Sequence, residues 1–75
     1  MEIPENDPSE VLKNIGKRVR KLRLEKYSNY EAFAKESGIN KVTILRIEKG
    51  EDFRMSNLVR ILLALDGNFD DIFNS

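Results

Sequence analysis

Ile44 and Ile47 stand three residues apart and suit the inward side of a short helix. That spacing turns Lys41, Val42, Leu45 and Arg46 outward on the same segment. The outward set has the chemistry of base reading. A lysine in the first turn can donate to guanine O6 and N7, and a valine beside it can pack on a thymine methyl. Arg46, one turn later, is placed for a base edge or a phosphate. Leu45 suits either more thymine methyls or a contact with another protein.

A helix enters a groove only if the rest of the chain holds it out. The stretch FAKESGINKVTILRIEKG, residues 33–50, supplies the means. Gly38 ends one helical run in a left-handed conformation that a side chain would resist. Ile39 is then a buried turn residue, and Asn40 caps the next run through its side-chain oxygen. The pattern predicts helix 2 at about 30–37, capped by Asn29, and helix 3 at about 41–48, closed by Lys49-Gly50. Two helices joined by so tight a turn form a helix-turn-helix, whose second helix stands out from the body. The N-termini of helices 2 and 3 also offer N–H groups to phosphate.

The remaining elements form the scaffold. Residues 1–8 hold two prolines and three acids and read as a loose arm, followed by one domain over residues 9–75. Helix 1 is expected from Ser9, as its cap, to about residue 26, with Leu12, Ile15, Val19 and Leu22 as its core stripe. Gly16 permits close approach of another helix. Residues 51–55 read as a loop with Phe53 tucked inward, and Ser56 caps helix 4, whose buried side holds Leu58, Ile61, Leu62 and Leu65. After a turn at residues 66–68, Phe69, Ile72 and Phe73 close the base, with Phe73 expected in the core. The fold class is therefore all-α: a compact five-helix domain.

The chain has 75 residues, with no Cys and no His. Disulfides, thiolate chemistry and zinc sites of the usual kind are excluded. Asp66, Asp70 and Asp71 lack the ordered spacing of a calcium loop, so no metal and no cofactor are expected. There is no phosphate loop, no defensible carboxylate pair and little room for a pocket, so the chain does not read as an enzyme. The opening MEIPEN is not a secretory leader, and the longest apolar run, ILLAL, is far too short to span a membrane. A cytoplasmic protein is expected. Formal net charge is zero, but ten Lys/Arg and three Glu between Lys13 and Arg46 give +7, while three basic and ten acidic residues elsewhere give −7. A basic half and an acidic half suit a nucleic-acid face and a face turned away from it.

These residues resemble the phage-repressor and Cro type of helix-turn-helix domain. IGKRVRKLR fits the family's opening apolar-Gly-basic-basic-apolar-Arg stretch, FAKESG its Leu-Ala…Gly ending of helix 2, and ILRIEKG its Ile-x-x-Ile-Glu-x-Gly ending of helix 3. The resemblance covers about Ile15 to Phe73 and implies the lambda-repressor-like fold. It implies operator binding to double-stranded DNA, commonly as a homodimer, in regulation of transcription, with the protein lying on the nucleoid when bound. It also implies a structural ion pair between Arg23 and Glu48, base contacts from Lys41, Val42, Leu45 and Arg46, and phosphate contacts from Tyr30, Lys49 and Arg54. Tyr30 departs from the family's Gln at the start of helix 2, Ser28 from an apolar residue whose space Tyr27 can fill, and Leu45 from a polar one. Dimer contacts are expected around Leu63, Phe69 or Ile72. The alternative is an antitoxin-like role with a toxin or another protein as partner, with or without DNA.

Overall fold

Asp7 and Pro8 start the first helix. The Asp7 carboxylate accepts the Ser9 backbone N–H at 3.1 Å and also the Ser9 hydroxyl proton. That hydroxyl bond holds the Asp7 carboxyl below its ordinary range. Pro8 occupies the first helical position, where a missing N–H costs nothing. Ser9, the expected cap, therefore lies inside the first turn. In the computed structural model residues 7–73 are described. The rest of the expected arm, residues 1–6, lies outside them.

Five helices follow one another: α1 (Pro8–Lys26), α2 (Tyr30–Ser37), α3 (Lys41–Glu48), α4 (Met55–Leu65) and α5 (Phe69–Phe73). No strand occurs among the described residues. The fold is the all-α five-helix domain read from the pattern. Ile15 and Val19 of α1 meet Phe33, Ile44, Ile47, Leu58 and Ile61 in one core. Phe33 is completely buried, and Tyr27 packs against it with ring centroids 5.3 Å apart, filling the space that Ser28 leaves. At the base, Ile72 and not Phe73 is the fully buried residue. Phe73 is half-buried and stacks on Phe69, with centroids 5.9 Å apart. Helix α4 begins at Met55, with Arg54 in the cap position and no side-chain cap bond. Ser56, the expected cap, lies inside the first turn.

Three helices end on a left-handed residue. At Gly38 (φ +70°) the N–H returns to the Ala34 carbonyl at 2.9 Å. At Gly50 (φ +89°) the N–H bonds Ile47 O, and Glu51 N–H bonds Arg46 O, both at 3.0 Å. Helix α4 ends likewise, with Gly67 N–H on Leu62 O at 2.9 Å, but its left-handed residue is Asp66 (φ +54°). Asp66→Gly is expected to stabilise the domain by about 0.5 kcal/mol. It relieves roughly 1–2 kcal/mol of left-handed strain and adds roughly 0.4–1 kcal/mol of unfolded-state entropy. A urea midpoint at or below that of the parent would show that Asp66 is not held in this conformation.

Gly16 decides how closely α1 approaches α3. A Cβ there would press on the Ile47 carbonyl oxygen and lie 2.8 Å from the Glu48 carbonyl oxygen. The backbones of the two helices are thus in contact, and α3 is carried on a rigid seat.

Candidate nucleic-acid interface

Asn40 sets the direction of α3. Its side chain accepts the Val42 N–H at 2.7 Å, and its own backbone is extended. Asn29 does the same for α2, accepting from Glu31 N at 2.7 Å and Ala32 N at 3.3 Å. These bonds narrow one expectation. The N–H groups at Glu31, Ala32 and Val42 are satisfied by the caps and are not open to phosphate.

Ile44 and Ile47 face the core, so the opposite side of α3 looks outward. Val42 is 52% exposed, and Arg46 is exposed. Lys41 is exposed too, with its ammonium 3.3 Å from a Glu31 carboxylate oxygen. Exposed pairs of this kind contribute about 0–1 kcal/mol, so a duplex can take the lysine from its partner. Helix α3 has no acid in its own first turn; the carboxylate beside Lys41 comes from Glu31 of α2. Leu45 is only half outward. It lines a recess of about 290 Å³ with Arg20, Tyr30, Glu48 and Lys49. Arg54, at the start of α4, is exposed and lies outside that recess.

Behind the recess sits a buried polar cluster. Arg23 is 2% exposed. Its Nε donates to Glu48 Oε2 at 2.7 Å, and its Nη1 donates to the Tyr27 carbonyl at 2.9 Å. The guanidinium carbon also lies 3.9 Å from the centre of the Tyr30 ring. The Tyr30 hydroxyl donates to Glu48 Oε1 at 2.7 Å. One cluster thus joins α1, the start of α2 and the end of α3. Burial works against the charge on Arg23, but the hydrogen bond and the charge of Glu48 prevail and hold its proton more tightly than usual.

This geometry does not suit the expectation that Tyr30 meets phosphate. A phenol has one proton to donate, and here Glu48 takes it. Burial raises the Tyr30 pKa above its ordinary value near 10, and the Glu48 hydrogen bond and charge push the same way, against the pull of Arg23 and Arg20. A group raised on folding adds stability that is complete below its unfolded pKa and lost as pH climbs through the folded one. The parent is therefore expected to lose stability above about pH 10 through Tyr30. In Tyr30→Phe that component is missing. Urea midpoints measured from neutral to strongly alkaline pH should converge for the two proteins, and a constant gap across that range would contradict the assignment.

Arg20 also lines this recess, a placement that residue types alone did not single out. It lies within the run of cations from Lys17 to Arg23. Its spacing was the available signal: four after Gly16 and three before Arg23, it shares the face of α1 that meets α3.

A helix-turn-helix family model matches residues 19–72, from the middle of α1 through most of α5. The chain belongs to that family. This helix-turn-helix protein is a DNA-binding regulator of transcription, of the Cro and phage-repressor type. Among solved structures it is similar to the restriction-modification controller protein C.AhdI from Aeromonas hydrophila. The two are 28% identical, with a TM-score of 0.82 over 91% of this chain and 100% of that one. No curated protein matches significantly in sequence. These likenesses favour DNA regulation over the antitoxin-like alternative. Among the described residues no helix is long and apolar enough to cross a membrane.

Proposed function

We propose that this helix-turn-helix protein reads an operator as a homodimer, laying α3 of each protomer into the major groove. Lys41, Val42 and Arg46 contact base edges, Leu45 touches the groove wall, and Lys49 and Arg54 hold backbone phosphates. The observation that carries this reading is the outer face of α3. Among the described residues it is exposed, basic and uncovered, while its inner face is locked to α1 at Gly16. The likeness to a restriction-modification controller supports an operator close to the genes that such a protein governs. The protein acts in the cytoplasm, on the nucleoid, and without catalysis.

A second copy would dock on the groove between α4 and α5. Val59, Leu63 and Phe69 line it and are 37%, 76% and 45% exposed. Leu63 and Phe69 fit the expected dimer surface, but Ile72 is buried in its own protomer and leaves that set. Twofold pairing there would present two α3 helices to successive turns of one duplex face. The apolar character of the groove suits such a partner.

The test is binding to the DNA upstream of the protein's own gene and to a shuffled duplex of equal length, across a salt series. A clear preference for the upstream DNA is expected. Equal affinity for both would reject operator reading. A light-scattering mass of one chain, both free and on DNA, would reject the homodimer.

A further inference from the structure

We propose that Arg20 and Lys49 form a two-sided clamp for one DNA backbone phosphate, in the recess walled by Leu45 and the Tyr30 ring. This rests on the reading that α3 faces DNA. It adds a contact from α1, an element outside the helix-turn-helix itself.

Three donors at the start of α2 that would otherwise hold a phosphate are engaged within the protein. The Tyr30 hydroxyl is bonded to Glu48, and the Glu31 and Ala32 N–H groups are bonded to Asn29. Arg20 and Lys49 are in a different position. Both are exposed, and neither side chain makes an ion pair or hydrogen bond among the described residues. They line the same recess of about 290 Å³. Glu48 also lines it, but its carboxylate is 3% exposed and already neutralised by Arg23. Two cations with no ion-pair partner among the described residues therefore line one recess. Leu45 and Tyr30 add apolar surface to its walls. An isolated anion gains little from such walls, whereas a phosphodiester brings a deoxyribose that packs against them. The larger recess between α1 and α5 lacks this character, because Arg18 and Lys21 there face Glu25, Asp70 and Asp71.

A phosphate contact acts on every sequence alike and appears in the salt dependence. Arg20→Gln and Lys49→Gln are each expected to weaken binding to a duplex of arbitrary sequence. Each should lower the slope of log affinity against log salt by roughly 0.9 per bound protomer. The same loss is expected on the upstream DNA, so the ratio between the two duplexes stays constant. Arg20→Lys should keep the slope. Melting temperatures should stay at the parent value, since neither side chain supports the fold. An unchanged slope in both Gln variants would overturn the clamp, as would a loss confined to the upstream DNA, which marks a base contact. The clamp and the operator reading fail separately. A parent that does not prefer its upstream DNA defeats the operator reading, while the slope on arbitrary DNA still reports on Arg20 and Lys49.

Discussion

Replacing Glu48 with alanine is expected to cost about 3–5 kcal/mol of folding stability, the usual cost of removing one partner from a buried ion pair. A domain of 75 residues has roughly 4–11 kcal/mol in all, at about 0.05–0.15 kcal/mol per residue. The substitution therefore removes much of the total. The cause is the charge left behind. Arg23 is 2% exposed and keeps only the Tyr27 carbonyl and the face of the Tyr30 ring. Tyr30 loses its acceptor in the same step. Glu48→Gln should fall between parent and alanine, because an amide oxygen can still accept from Arg23 but carries no charge. A double change, Arg23→Met with Glu48→Leu, should recover part of the loss, since no buried charge then remains. Urea unfolding followed by circular dichroism measures all four proteins. An alanine variant within about 0.5 kcal/mol of the parent, the range of an ordinary surface change, would show that the bridge is not formed in solution.

The same cluster shows how far residue types carry an interpretation. Gly38, Asn29 and Asn40 were legible because each solves a local problem with a local signature. A left-handed backbone favours glycine, and a helix start favours a short side chain with an acceptor oxygen. The beginning of α1 was misplaced because Asp7 and Ser9 are both good caps, and Pro8 tips the choice to Asp7. The beginning of α4 carries no cap at all, so no local signal existed to find. Ile72 and Phe73 are adjacent apolar residues on a five-residue helix, too short for periodicity to rank them. At the interface, the outward set on α3 follows from Ile44 and Ile47 facing in. Tyr30 was harder. Its single donor is evident from its chemistry, but whether that donor turns to phosphate or to Glu48 depends on where α3 ends in space. The position of Leu45 depends on the same fact. It is half-buried and shares its recess with Tyr30, which stands where the related pattern has glutamine.

Lys41→Ala combined with Arg46→Ala is expected to abolish sequence preference and leave the fold intact. Both side chains are exposed, and the only ion pair either makes among the described residues is the surface contact of Lys41 with Glu31, so thermal stability should move by no more than about 0.5 kcal/mol. The effect on DNA is larger by an order of magnitude. A good contact to a base edge discriminates by about 1–3 kcal/mol. Two such contacts in each of two half-sites amount to about 4–12 kcal/mol, which spans the gap of about 4–10 kcal/mol that separates specific from non-specific binding. The double variant should therefore bind its upstream DNA no more tightly than a shuffled duplex. Non-specific attraction should survive in weakened form, because Arg20, Lys49 and Arg54 remain. The contrast with the clamp variants is diagnostic. Loss of Arg20 or Lys49 lowers both affinities together, whereas loss of Lys41 and Arg46 closes the gap between them. Val42→Ala should produce a smaller change of the second kind, confined to sites where a thymine methyl lies against it. Replacing that thymine with deoxyuridine in the duplex should reproduce the loss with the parent protein. If the double variant keeps the parent's preference, recognition lies elsewhere on the domain, and α3 serves only to dock it.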